Sequence, residues 1–270
     1  MSEQEKPLPV SSSTHPDFPP DQRRLFREVL ELMKSRGVPF AVSGAFALHQ
    51  HTGIWRDTKD LDLFVPAENA SAALEFLQED GFEVEVSDPV WLAKARHDGF
   101  FVDLITGMSN GVLLVDPTWI ERAIPAEVID VVAPVLAAEE LIASKLFVTR
   151  RERFDGADIA HVIYRAGYRL VWDRLLELVG EHWEVLFWHL VLYQYSYPAA
   201  VQQVPHRIWQ ELLHRFQGSL DKPDSEAGFR GSLIDENMFA IDVNEWGLHD
   251  LVGEYRSRRP NLIASPRKAA

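Results

Sequence analysis

The chain contains no cysteine among its 270 residues. Disulfide bonds, thiolate zinc sites and cysteine nucleophiles are therefore excluded, and a reducing compartment suits the protein. The sequence also lacks an uncharged apolar run of about 18 residues and a basic-then-apolar N-terminal signal. From these absences we expect a cytoplasmic protein with no membrane partner.

Positive charge is scarce as well. Lysine and arginine number 27 against 41 aspartates and glutamates, which gives a formal net charge of −14. This balance argues against a general electrostatic grip on nucleic acid or on anionic membranes. A nucleic-acid partner would need a local basic path, which the cluster Lys145, Arg150, Arg151 and Arg153 could supply.

The chain divides by pattern into four segments. Residues 1–20 are rich in proline and serine, so we expect a mobile N-terminal segment. Residues 21–136 alternate helical and strand patterns, which predicts an α/β domain. Residues 137–255 predict a helical domain, and residues 256–270 a mobile basic tail. The predicted fold class is α+β, with a small mixed sheet flanked by helices and followed by helices.

Some local patterns predict single elements. The Asp98-Gly99 pair between two strand patterns predicts a two-residue hairpin turn. The stretch "PAEVIDVVAP", residues 125–134, predicts one edge strand. The stretch "AAEELIASKLFVTRRER", residues 137–153, predicts a helix that is followed by a second one after a break near Phe154.

Two aspartates open the strand pattern in "RDTKDLDLFVP". Residues two apart in a strand project from the same face, so Asp60 and Asp62 stand side by side with Leu61 turned away. Their carboxylates repel unless a proton or a cation neutralises them. Magnesium fits, since it binds a few protein carboxylates and fills its other positions with water and phosphate oxygens. The alternative is a pair of solvent-facing charges at the start of a strand.

A third carboxylate lies in the apolar strand pattern "FFVDLIT". A bare charge there is costly to bury, so Asp103 faces either solvent or the same cation. If this strand lies beside the strand that carries Asp60 and Asp62, three carboxylates converge. Such a site could hold two metal ions and align the attacking and leaving oxygens of a phosphoryl transfer.

The stretch "VSGAFAL" predicts a strand, a small-residue turn at Ser43-Gly44 and the start of a helix. Free backbone N–H groups at a helix N-terminus can accept a phosphate chain. This signal is weak alone. Its position before the aspartate pair, in one α/β unit, strengthens it.

The combination Ser43-Gly44, Arg56-x-Thr58-x-Asp60-x-Asp62 and Asp103 resembles the polymerase-beta-like nucleotidyltransferase superfamily. It is most similar to the minimal bacterial nucleotidyltransferases of abortive-infection and toxin–antitoxin systems. The resemblance spans about residues 40–167. Two features depart from the family pattern: the order Ser43-Gly44-Ala45 in the turn and the longer interval from Gly44 to Asp60.

The resemblance implies transfer of an NMP group from an NTP to an acceptor hydroxyl on RNA, protein or a small molecule. Asp60 and Asp62 would hold two Mg²⁺ ions, and Asp103 would complete the metal site and help take the acceptor's proton. The family also carries a lysine followed by an acidic pair, matched here by Lys145, Asp155 and Asp158. The residues implied in nucleotide binding are Ser43, Gly44, Arg56, Thr58, Lys145 and Asp158.

Structural roles compete with these assignments. Arg56 could stiffen its loop by pairing with a carboxylate, and Thr58 could hold the turn through a local hydrogen bond. Lys145 could extend its head to solvent from an apolar helix face. Asp155 and Asp158 have the spacing of a helix N-cap with a capping box, and Asp158 could give outer support to the site.

Two other functions remain open at this point. The altered Ser-Gly-Ala turn is compatible with a catalytically weak or inactive binding or regulatory protein, whose tryptophan-rich helical half would contact a protein partner. A metal-dependent phosphohydrolase would share the carboxylates but would need no triphosphate cradle.

Overall fold

The computed structural model describes residues 18–259 and 262–264. The strands are β1 (Ala41–Val42), β2 (Asp60–Phe64), β3 (Glu83–Asp88), β4 (Leu92–His97), β5 (Phe100–Ile105), β6 (Ile124–Val128) and β7 (Val131–Val135). The α-helices are α1 (Pro20–Ser35), α2 (Gly44–Thr52), α3 (Ala67–Glu79), α4 (Pro117–Glu121), α5 (Ala138–Lys145), α6 (Gly156–Ala166), α7 (Trp172–Val179), α8 (Trp183–Ser196), α9 (His206–Asp221), α10 (Gly231–Ile234), α11 (Ala240–Asn244) and α12 (Leu251–Ser257).

The seven strands form one mixed sheet in the order β3-β4-β5-β2-β1-β7-β6. β2 pairs parallel with β5, and β1 pairs parallel with β7. The other neighbours are antiparallel. The predicted fold class is confirmed: the chain is α+β, with a mixed sheet followed by a helical part.

The β4–β5 and β6–β7 hairpins had different signals in the sequence. Asp98 and Gly99 adopt positive φ angles of 51° and 82°, as the turn pattern predicts. Our single edge strand over residues 125–134 is wrong, because Ile129 and Asp130 also turn the chain with φ angles of 49° and 64°. The segment forms two antiparallel strands, β6 and β7. An isoleucine rarely adopts this conformation, so the sequence carried no turn signal.

One face of the sheet is apolar. Leu61, Leu63, Val102 and Leu104 are fully buried there. Helix α1 packs on this face, where the Phe26 ring lies edge-on to Phe100 with centroids 6.4 Å apart. Because strand side chains alternate, the residues between these positions project from the opposite face. Asp60, Asp62 and Asp103 therefore share that opposite face.

Helix α5 lies at the centre of the structure, and all eight of its residues are buried. Our prediction of a helix over residues 137–153 is wrong beyond Lys145. Residues 146–155 form a loop, closed by a bridge between Thr149 and Phe154 and by a bond from the Asp155 N–H to the Val148 carbonyl. The loop returns the chain so that the start of α6 lies beside the end of α5.

Sheet and helices share one core. The change from strands to helices falls between β7 and α5, near the predicted boundary at residue 136, but buried side chains of both parts belong to a single hydrophobic cluster. The division into two domains stays a prediction. Across the described ranges 18–259 and 262–264, no helix has the length and apolar character to cross a membrane.

Both predicted mobile segments fall partly on described residues. Residues 1–17, 260–261 and 265–270 lie outside them. Phe18, within the predicted N-terminal segment, is buried and stacks on Phe46 at 5.6 Å. In the predicted tail, Arg256 pairs with Asp88 at 2.8 Å and Ile263 is buried. These described portions pack against the rest of the protein, because their apolar or charged side chains find partners there.

Candidate active site

Three carboxylates meet on the polar face of the sheet. β2 and β5 are parallel neighbours with Asp62 directly opposite Asp103, and Asp60 lies two residues earlier on β2. One carboxylate oxygen from each of the three lies within 4.8 Å of the others. The condition stated from the sequence, that these two strands lie side by side, is met. The donor set of three oxygens is of the kind that a hard divalent cation prefers.

Two of the carboxylates, Asp62 and Asp103, have raised pKa values. Burial is the largest cause for Asp62, and repulsion by Asp60 and Asp103 adds to it, so that the pKa of Asp62 rises from 3.8 to about 7. Burial likewise raises the pKa of Asp103, although the hydrogen bond and the charge of Lys94 oppose this. The site therefore carries negative charge that the protein only partly compensates.

The turn before α2 lies against Asp62. Gly44 has a φ of +57°, and a Cβ added there would lie 1.9 Å from Asp62 Oδ2. The Ser43 N–H donates to the Asp62 carbonyl at 2.9 Å, which fixes the turn to β2. The buried Ser43 hydroxyl makes no capping bond to α2. The glycine of the Ser-Gly-Ala turn is thus the residue that lets the start of α2 approach the carboxylates.

The loop before β2 is held by two of the predicted residues. The Thr58 hydroxyl donates to the Asp60 carboxylate and lies 3.1 Å from the Asp60 carbonyl oxygen. Gln22 of α1 donates to the Thr58 carbonyl at 2.7 Å. Arg56 forms an ion pair with Asp158 of α6 at 2.5 Å. The structure thus gives Thr58 a local hydrogen bond and Arg56 a carboxylate partner.

Lys145 is buried at the end of α5 between two carboxylates. Its ammonium lies 2.6 Å from Asp155 and 3.0 Å from Asp158, and its side chain is only 10% exposed. The alternative of a lysine head extended to solvent is therefore wrong. Arg153 adds a further bond to Asp155 at 3.0 Å. Together with Arg56, these residues form a cluster of three cations and two carboxylates beside the carboxylate site.

The cluster also decides between two interpretations of Asp155. The residue occupies the N-cap position of α6, but its side chain makes no capping bond. Burial would raise its pKa, yet the bonds from Arg153 and the charge of Lys145 outweigh burial and hold the pKa below its usual value. The charges of Lys145 and Arg153 also act on Asp62, where they oppose the rise of its pKa.

The four cations of the predicted basic path contact different parts of the protein. Lys145 and Arg153 are bound to Asp155. Arg150 donates to the Ser109 hydroxyl at 2.6 Å, and the exposed Arg151 is fixed by its backbone N–H to Asp235 at 3.2 Å. These cations do not line up as one open strip.

Residues 22–183 match the model of a family described as "Nucleotidyl transferase of unknown function (DUF2204)". The protein belongs to this family. The predicted nucleotidyltransferase membership is thereby confirmed, and the toxin–antitoxin type stays a prediction. A search of curated proteins finds no match.

Solved structures of nucleotidyltransferases are similar to this member of the family. An antigenic nucleotidyltransferase-like protein from Paracoccidioides brasiliensis has 16% identity and a TM-score of 0.46, covering 68% of this chain and 93% of that chain. The antibiotic-resistance factor ANT(2'')-Ia has 15% identity and a TM-score of 0.42, covering 65% and 98%. The lincosamide antibiotic adenylyltransferase LnuA, bound to lincomycin, has 16% identity and a TM-score of 0.39, covering 54% and 98%.

One charged residue of the site was missed from the sequence. Lys94 of β4 lies directly across from Asp103, and its ammonium is 2.7 and 2.8 Å from the two carboxylate oxygens. The available signal was the alternation in "WLAKARH", where small residues at Ala93 and Ala95 indicate the buried face and Lys94 the polar one. The pairing with Asp103 follows from the Asp98-Gly99 hairpin, which sets the register of β4 against β5.

Proposed function

We propose that this protein is a Mg²⁺-dependent nucleotidyltransferase that moves an NMP group from an NTP to an acceptor hydroxyl. The observation that carries the proposal is the convergence of Asp60, Asp62 and Asp103 beside the Gly44 turn. The family match supports the reaction class. The nucleotide and the acceptor, whether RNA, protein or a small molecule, are left open.

The three carboxylates suit a divalent ion. They offer oxygen donors within 4.8 Å of one another, and Asp60 and Asp62 have no lysine or arginine within ion-pair distance in the described part of the chain. A Mg²⁺ ion held by these residues would supply positive charge to the triphosphate and to the departing pyrophosphate.

The protein's own groups divide the remaining work. The Ser43-Gly44 turn brings the N-terminus of α2 to the site, where its free N–H groups receive the phosphates. Thr58 holds the Asp60 carboxylate in place. Asp103 accepts the proton of the acceptor hydroxyl as that oxygen attacks the α-phosphorus. The bond from the α-phosphorus to the bridging oxygen breaks, and pyrophosphate leaves with the electron pair.

The charged cluster around Lys145 stabilises the carboxylate site from beside it. Lys145 and Arg153 add positive charge near Asp62, which favours its ionised form. Arg56 and Lys145 already bind Asp158, so we assign them to positioning of α6 and of the loop before β2. Phosphate binding then depends mainly on the backbone of the Ser43-Gly44 turn.

One observation favours a second candidate, a nucleotide-binding regulatory protein without turnover. Both cations expected to hold the triphosphate, Arg56 and Lys145, are engaged by carboxylates of the protein itself. Such a protein would bind an NTP with Mg²⁺ and would release neither pyrophosphate nor labelled product.

Label transfer separates these candidates. Each of the four NTPs, labelled at the α-phosphorus, is incubated with the protein, Mg²⁺ and either bulk RNA or cell lysate. We expect transfer by the wild type and none by Asp60→Asn plus Asp62→Asn. Glu83→Gln plus Glu85→Gln is the matched control, since it removes two carboxylates at the same spacing from the exposed strand β3. Transfer that survives the aspartate variant contradicts the proposed site. NTP-dependent thermal stabilisation without transfer supports the regulatory protein.

A further inference from the structure

Four charged side chains cross the polar face of the sheet in one row, with a single cation among three carboxylates. Glu85 of β3 lies opposite Lys94 of β4, Lys94 lies opposite Asp103 of β5, and Asp103 lies opposite Asp62 of β2. The register places Lys94 next to one end of the carboxylate group. A cation is therefore built into the sheet beside Asp103.

Lys94 engages Asp103 alone among the three carboxylates. Its ammonium contacts both oxygens of Asp103, at 2.7 and 2.8 Å. Over residues 18–259 and 262–264, no lysine or arginine lies within 4.0 Å of the carboxylates of Asp60 or Asp62. The compensation of negative charge is therefore uneven: Asp103 is neutralised, and the β2 pair is left for a cation from outside.

The strand holds Lys94 in this position. β4 pairs along its whole length with β5, and residues 92–96 pair with β3 on the other side. Ala93 and Ala95 are fully buried on the opposite face, so β4 cannot turn over to release Lys94. The Asp103 side chain is 11% exposed and that of Lys94 is 26% exposed, which limits the water that could replace their contact.

We propose that Lys94 is a resident cation of this site, which neutralises Asp103 so that the site takes up one divalent ion, at Asp60 and Asp62, instead of two. The inference rests on the proposed function; it replaces the two ions that the resemblance implies by one, and it removes Asp103 from the ligands. An ammonium supplies one positive charge where a second divalent ion would supply two, and it leaves no coordination position for phosphate. Asp103 then acts as proton acceptor and not as a metal ligand.

Counting bound Mn²⁺ by electron paramagnetic resonance tests this directly, with Mn²⁺ alone as the probe and no nucleotide. We expect one ion per chain in the wild type and in Lys94→Arg, which keeps the charge. We expect two ions in Lys94→Gln, because the released Asp103 joins the carboxylate pair. The double variant Lys94→Gln plus Asp103→Asn removes both charges and should return the count to one.

Arg96→Gln is the matched control for loss of a positive charge. Arg96 projects from the same face of β4 two residues later, but its ion-pair partner is Glu85, at 2.9 Å. It should bind one ion, as the wild type does. A second ion in Arg96→Gln would mean that the net charge of the face sets the count, which overturns the role of Lys94.

The outcomes separate this inference from the proposed function. Two ions in the wild type, or a single ion in a folded Lys94→Gln, overturn the inference and leave the proposed metal site standing. No ion in the wild type overturns both. If Lys94→Gln does not fold, anomalous scattering from wild-type crystals soaked in Mn²⁺ decides instead. A single peak at Asp60 and Asp62 supports the inference, and a peak bound to Asp103 overturns it.

Discussion

Substitution of Gly44 by alanine should disable the site while leaving the fold intact. The new Cβ would lie 1.9 Å from Oδ2, 2.9 Å from Cγ and 3.3 Å from Cβ of Asp62. Rotation of the Asp62 side chain relieves these contacts, but it carries the carboxylate away from Asp60 and Asp103. Divalent-ion binding and nucleotidyl transfer should then fall by about 10- to 100-fold, the range seen when groups that orient metal ligands are lost.

The same substitution costs backbone energy, and this part can be separated. Alanine at the φ of +57° found for Gly44 costs about 1–2 kcal/mol, partly offset by the stiffer unfolded chain. Gly37 has a φ of +67° and no atom within 4 Å of an added Cβ, so Gly37→Ala carries the strain without the contact. Both variants should lose about 1 kcal/mol of unfolding free energy in urea.

The two variants should differ only in divalent-ion binding and in nucleotidyl transfer. Mn²⁺ titration followed by electron paramagnetic resonance, together with transfer of α-labelled NTP, should show Gly37→Ala equal to wild type and Gly44→Ala reduced in both. Equal ion binding and equal transfer by the two variants would refute the contact between the turn and Asp62 as the reason for Gly44.

Three further predictions follow from the charges of the protein. In EDTA, the free energy of unfolding should fall as the pH rises from about 4 to about 7, because folded Asp62, with its pKa near 7, holds a proton that the unfolded chain has lost. Urea titrations at a series of pH values should show a smaller fall of the unfolding free energy with pH for Asp62→Asn than for the wild type. An equal fall in the two proteins contradicts the raised pKa of Asp62. Lys145→Met should cost about 3 kcal/mol in the same assay, since it leaves Asp155 and Asp158 buried with one cation each; a loss below about 0.5 kcal/mol argues against a structural role. Arg256→Ala removes the bonds to Asp88 and to the Ser109 carbonyl, so limited proteolysis should cut the C-terminal segment sooner. Arg258→Ala is the comparison, because the ion-pair partner of Arg258 is the local Glu254.

The elements that build the site could be predicted because their signals are local. Alternation in "LDLFV" and "FFVDLIT" gives the faces of β2 and β5, and a glycine in a small-residue turn gives the start of α2. The spacing of Asp60 and Asp62 puts them on one face whatever the rest of the fold does. A charge inside the apolar pattern of β5 indicated Asp103 as the third carboxylate, and the resemblance then supported the combination.

The contact between Arg56 and Asp158 could not be predicted, because it depends on which loop and helix become neighbours, and this information is spread over the chain. The contact between Lys94 and Asp103 had a local signal, since the Asp98-Gly99 hairpin sets the register of β4 against β5. The β6–β7 turn was not predicted because Ile129 and Asp130 adopt positive φ angles without a glycine. The loop after Lys145 was not predicted because its sequence continues a helical pattern. The contacts of Asp155 with Lys145 and Arg153 turn the chain back towards the end of α5.

The fate of the α- and γ-phosphorus of the triphosphate tests the central claim, nucleotidyl transfer, most directly. An NTP labelled with different isotopes at the α- and γ-phosphorus is incubated with the protein, Mg²⁺ and the acceptor fraction found by label transfer. The account predicts α-label on the acceptor and γ-label in pyrophosphate, in equal amounts, with both lost in Asp60→Asn plus Asp62→Asn. Release of γ-label as inorganic phosphate with no α-label on an acceptor would contradict nucleotidyl transfer and indicate a phosphohydrolase.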